Sequence, residues 1–124
     1  MAPAGEPKVF VLAGAGKGIP VYRLLQKHKI AFATGVLFEN DVDMQVAKVL
    51  AAHVVSVPAF MHVGEQELCE AKKWIDRVSY VIDAGTPLGE QNQRCRELTE
   101  YAAAQHKVTL TAAEAFAKIG KCRM

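Results

Sequence analysis

The chain has no run of the roughly 18 to 20 apolar residues that a bilayer span needs, and its opening MAPAGEP has neither the basic start nor the apolar core of a secretory signal. It reads as a protein of the cytoplasm. Cysteine is scarce: Cys69, Cys95 and Cys122 are odd in number and far apart, which excludes a disulfide framework and the paired spacing of a zinc ribbon. Each is read as a small, buried or half-buried apolar side chain. An excess of one charge is missing too, since fifteen basic and thirteen acidic residues leave a formal +2. No nucleic-acid or membrane surface is announced, and the few aromatics are not interleaved with basic residues as base-stacking platforms are.

Metal and covalent chemistry are equally thin. His28, His53, His62 and His106 match no H-x-x-x-H or H-x-H spacing. Only His62, in FMHVGE, is kept as a site candidate. No Ser-His-Asp order and no nucleophile elbow is present, so covalent catalysis has no visible carrier and no catalytic residue is assigned.

What is there is alternation. Residues 1–7 resemble a linker, and residues 8–124 hold enough apolar sequence for one domain. KVFVLAG (8–14), AFATGVLF (31–38), HVVSVPAF (53–60), SYVIDAG (79–85) and KVTL (107–110) are predicted strands. Between them lie helical patterns: Val21, Leu24, Leu25 and His28 after Pro20; Val46, Ala47, Val49 and Leu50; Leu68, Ala71, Trp74, Ile75 and Val78; Gln91, Cys95, Leu98 and Ala102. Thr111 and Glu114 form a capping box opening a last helix on Ala112, Ala115, Phe116 and Ile119.

Strands apolar on both faces, each followed by a helix, predict a doubly wound α/β domain: a mainly parallel five-stranded sheet with helices on both faces, Rossmann-like. Ligands in such sheets bind beyond the carboxyl ends of the strands, where the strand order reverses. The glycines and short polar residues gather at those ends. Gly14, Gly16, Lys17 and Gly18 follow the first strand; Glu39, Asn40, Asp41 and Asp43 the second; Thr86, Pro87, Gly89 and Asn92 the fourth.

Glycine there allows a ligand to approach helix-terminal N–H groups, where the dipole favours an anion; it also serves plain turn geometry. The spacing excludes a Walker A loop, because Val11 stands where its first glycine belongs and Gly18 where its hydroxyl belongs. The dinucleotide pattern G-x-G-x-x-G fits at Gly14 and Gly16 and then meets Ile19. A G-x-G-x-G turn fits throughout. Glu39 lies about 20 residues on, where an acid can bind ribose hydroxyls or merely be solvated. Asp41 and Asp43 suit helix caps better than metal ligands.

The succession VFVLAGAGKGIPVYRLL, TGVLFENDVD, PAF and TPLGEQNQR resembles the carboxyl-terminal accessory domain of ABC transporter ATPases of the iron-chelate and cobalamin import type. That family reads, in outline, a G-G-G-S-G turn, G-V-L-N-x-G-D-x-D, a P-F pair and P-F-G-x-x-N. The matching positions are Gly14, Gly16, Gly18 and Pro20; Gly35, Val36, Leu37, Asp41 and Asp43; Phe60; and Pro87, Gly89 and Asn92. Ala15, Lys17, Phe38, Asn40 and Leu88 depart from it.

The resemblance implies an accessory or sensory domain that works with a fused or adjacent transporter ATPase, and through it a membrane permease, at the inner face of the cell membrane. ATP hydrolysis by this chain is not implied. The expected ligand is a nucleotide or another small anion, held by Gly14, Gly16, Lys17, Gly18, Glu39, Asp41, Pro87, Gly89 and Asn92. Two alternatives stay open. One is a small nucleotide- or nicotinamide-dependent enzyme domain using the same turn and Glu39; the other is a purely structural domain that docks or forms a homodimer.

Overall fold

Each of the five apolar runs holds a strand and each helical pattern a helix, with residues 14, 37–38, 57–60, 85 and 91 of those patterns outside the described residues. In a computed structural model that describes residues 7–13, 18–36, 42–50, 53–56, 65–84 and 93–121, the order is β1 (Val9–Ala13), α1 (Ile19–Lys27), β2 (Phe32–Val36), α2 (Val42–Leu50), β3 (His53–Ser56), α3 (Glu65–Arg77), β4 (Tyr80–Asp83), α4 (Gln93–Ala104), β5 (Val108–Thr111) and α5 (Ala112–Lys121). The sheet order is β3-β2-β1-β4-β5, and every neighbouring pair is parallel. This is the doubly wound α/β arrangement.

β1 is the central strand, and all five of its residues are buried because the alternation of strand side chains feeds two separate cores. Phe10 and Leu12 join Ala33, Val55 and Val81 beneath Leu68, Ala71 and Ile75 of α3 and Leu98 and Ala102 of α4. Val9, Val11 and Ala13 join Phe32, Val36 and Ile82 beneath Val21, Tyr22 and Leu25 of α1, Ala47 of α2 and Ala115 of α5. Two helices therefore cover one face and three the other.

The helix ends follow local chemistry. Pro20 sits in the first turn of α1, where no N–H is required of it. The capping box at α5 forms as the sequence implies: the Thr111 N–H donates to Glu114 Oε1 at 2.8 Å and the Glu114 N–H to Thr111 Oγ1 at 3.1 Å. Both α1 and α4 end in Schellman turns built without glycine. Ile30 N–H donates to the Leu25 carbonyl and Lys29 N–H to that of Gln26, with Lys29 at φ 59°. Lys107 N–H donates to Ala102 and His106 N–H to Ala103, with His106 at φ 65°.

Some expectations are corrected. β5 is not apolar on both faces; as an edge strand it leaves Val108, Thr109 and Thr111 exposed. Val78 is buried, but in the connection after α3. Phe116 lies 42% exposed, since α5 is an outer helix resting on Ala115. Cys69 is an exposed free thiol on α3. Among the described residues no helix is long and apolar enough to cross a membrane.

Candidate functional site

The strand order turns back between β1 and β4. From β1 the chain passes to α1 and β2 on one side, whereas β4 leads through α4 to β5 on the other. Leu12 stands opposite Asp83, and the Ala84 N–H donates to the Leu12 carbonyl at 3.0 Å, so the two strands stay paired to the edge where their following segments leave. A crevice at such a divergence is where open α/β sheets hold ligands.

Of the residues expected to hold the ligand, Gly18 is the one described, and Asp43 falls within α2. Gly14, Gly16, Lys17, Glu39, Asp41, Pro87, Gly89, Asn92 and His62 lie outside the described residues. Gly18 caps α1 with an ordinary helical backbone (φ −82°, ψ −18°), and its carbonyl accepts the first helical bond from Tyr22 N–H at 2.9 Å. Conformation does not demand glycine here. Space does: a Cβ would lie 2.3 Å from Ala13 Cβ, 3.2 Å from Tyr22 Cζ and 3.3 Å from Tyr22 Oη. Gly18 thus does what the third glycine of a dinucleotide turn does, bringing helix against strand, but one residue earlier than the G-x-G-x-x-G spacing places it.

A buried polar relay fixes α1 in this position. Thr34 Oγ1 spends its one proton on the Val11 carbonyl at 2.9 Å, so Tyr22 Oη is the donor in the 2.7 Å bond to Thr34 Oγ1. The Tyr22 ring also stacks on Phe32, centroids 5.4 Å apart. Nothing in the sequence marks Tyr22 and Thr34, since a tyrosine on an apolar helical stripe and a threonine inside a strand are ordinary there.

The amino end of α1 has no acid in its first turn and no side-chain cap at Gly18. Its dipole is left uncancelled by nearby carboxylates of its own helix. Asp83, half-buried at the end of β4, brings a carboxylate to the same edge. An acid closing an otherwise apolar strand was the signal for it. A carboxylate accepts hydroxyl protons and repels anions, so it divides the edge into an anion-favouring side at α1 and a hydroxyl-favouring side at β4. Among the described residues no group of three or more His, Cys, Asp or Glu is placed to hold a metal ion.

Tyr101 of α4 donates to Asp76 Oδ1 at 2.8 Å, and that bond first, then desolvation and the carboxylate charge, raises the phenol above its usual range.

No curated protein and no solved structure matches the chain significantly. Residues 32–121, from the first residue of β2 to the last of α5, do match a family model. On that match, over well more than half of its length, the chain belongs to the MJ0874 family.

Proposed function

We propose that the domain is a binding module that holds a small anion, with nucleotides as the first class to test, and reports its presence to an ABC transporter ATPase. It does not itself hydrolyse ATP. In this reading it works on the cytoplasmic side, peripheral to the membrane through the transporter. The observation that carries the reading is the reversal of strand order between β1 and β4 directly beside the amino end of α1. Partial positive charge at that helix end, with no acid in its first turn, suits a phosphate, and Asp83 suits the hydroxyls of a sugar. The transporter context rests on the sequence resemblance described above.

The test is a thermal-shift screen of ATP, ADP, NAD and S-adenosylmethionine, followed by calorimetry on the wild type and Gly16→Val. A ligand at 100 times its dissociation constant adds about 2.7 kcal/mol of stability. Gly16→Val is expected to abolish binding by blocking close approach of the backbone. Failure of every ligand at millimolar concentration, or equal affinity in both proteins, overturns the proposal. ATP turnover that survives removal of contaminating enzymes overturns the non-hydrolytic part. The contact between Gly18 and Ala13 favours a second reading, in which the turn serves packing alone. The same calorimetry separates the two.

A further inference from the structure

At the end of the sheet opposite the crevice, α1 and α5 leave a gap over the three-helix face. Its walls are Val9 of β1, Ile30 after α1, Tyr80 and Ile82 of β4, Leu110 of β5 and Ile119 of α5, around a cleft of about 240 Å³. The left-handed turn at Lys29 sets Ile30 in this wall. Tyr80 and Val108 face each other across the β4–β5 ladder and remain 36% and 43% exposed, so α5 leaves this corner of the sheet uncovered. Among the described residues, the charged side chains lining the cleft are Lys8 and Lys118, both exposed cations, with no acid beside them in the lining.

We propose that this cleft is a second binding site, independent of the crevice, for a small amphiphilic anion: an aliphatic body of about eight carbons with a single carboxylate. Three features set that class. The apolar walls stabilise a hydrocarbon body by removing it from water. Two lysines, with no acid among the described lining residues, favour one anionic head at the rim over a cation or a neutral head. The volume equals that of about eight waters, below the roughly 300–1,000 Å³ of drug-sized sites, which excludes long acyl chains.

Octanoate is the probe, with 1-octanol as its neutral counterpart, on the full chain by calorimetry and by amide shifts in heteronuclear NMR. Octanoate is expected to bind with a dissociation constant of roughly a millimolar or below, shifting Val9, Ile30, Ile82, Leu110 and Ile119 and leaving Gly18 in place. The alcohol is expected to bind at least tenfold more weakly. The Lys8→Glu/Lys118→Glu double variant changes two exposed side chains, so it should fold as the wild type does and lose octanoate at least tenfold while keeping its alcohol affinity. Ile119→Trp, which fills the cleft, should lose both. No octanoate binding, alcohol binding as tight as octanoate, or unchanged octanoate affinity after charge reversal each overturns the proposal. Sedimentation showing that a second copy occupies the cleft overturns it as well.

Discussion

Replacing Gly18 with alanine sets two effects of opposite sign against each other. Because the backbone at Gly18 is helical with negative φ, alanine fits its conformation and should stabilise by about 0.4–1 kcal/mol through the unfolded chain. The new methyl, however, would meet Ala13 Cβ at 2.3 Å, more than an ångström short of the roughly 3.5–4.0 Å at which carbons rest in contact. Ala13 cannot retreat, being fully buried in the central strand and paired with Val36. Moving α1 instead would stretch the 2.7 Å Tyr22–Thr34 bond. Overpacking of this kind costs about 1–3 kcal/mol, so the steric effect wins and a net loss of about 1–2 kcal/mol is expected. For a chain of this size that lowers Tm by roughly 4–8 °C, read by circular dichroism with urea titration as a check. Ala13→Gly in the Gly18→Ala background should recover most of the loss, apart from about 0.5–1 kcal/mol for glycine in a strand. If Gly18→Ala is as stable as the wild type, or the two substitutions add without coupling, the close approach of α1 to β1 is not what glycine serves there.

Further outcomes follow from other contacts. Thr34→Val removes the acceptor of Tyr22 and the donor to Val11, so it should cost about 1–3 kcal/mol in urea unfolding; adding Tyr22→Phe should cost less than its separate effect. Thr111→Ala breaks the box at α5 and should lose about 1 kcal/mol by the same measurement, an exposed site giving no cavity to confuse the result. Lys29→Gly relieves a left-handed residue and should raise Tm, whereas Lys29→Ala should not. Absorbance near 295 nm should show Tyr101 titrating above the usual phenol range, and Asp76→Ala should return it there. Its folded pKa is the higher one, so the bond's contribution is fully present below the unfolded value, near 10, and is lost as pH rises through the folded value.

The fold was legible because its signals are local. Apolar runs bounded by glycine and proline marked the strands, helical spacing marked the helices, and the Thr111–Glu114 box needed only four residues to be recognised. Burial at the edges was not legible, since Val108 and Phe116 have the composition of core residues and only strand order decides that β5 is outermost. Cys69 went astray for the same reason: on α3 the stripe of Leu68, Ala71 and Ile75 fills the core and leaves it outside. At the candidate site, glycine spacing pointed to the carboxyl edge of the sheet, where Gly18 stands, but not to the reason for Gly18, which depends on an alanine five residues earlier in another element. The left-handed Lys29 and His106 carried no signal at all, because each stands where glycine would normally announce the turn.

The central position of β1 bears on how the chain is made. VFVLA emerges from the ribosome before the other four strands, yet one of its two ladder partners, β4, begins about 70 residues later, which at roughly 5–20 residues per second is a delay of about 4–14 s. During that interval β2 can protect one edge of the strand, while the other edge has no partner yet synthesised and the core face gains α3 only near its end and α4 after it. The most apolar strand is therefore the one exposed longest in the nascent protein. A chain halted before Tyr80 is a species built to aggregate, and the speed of translation through α2 and α3 sets how long that hazard lasts.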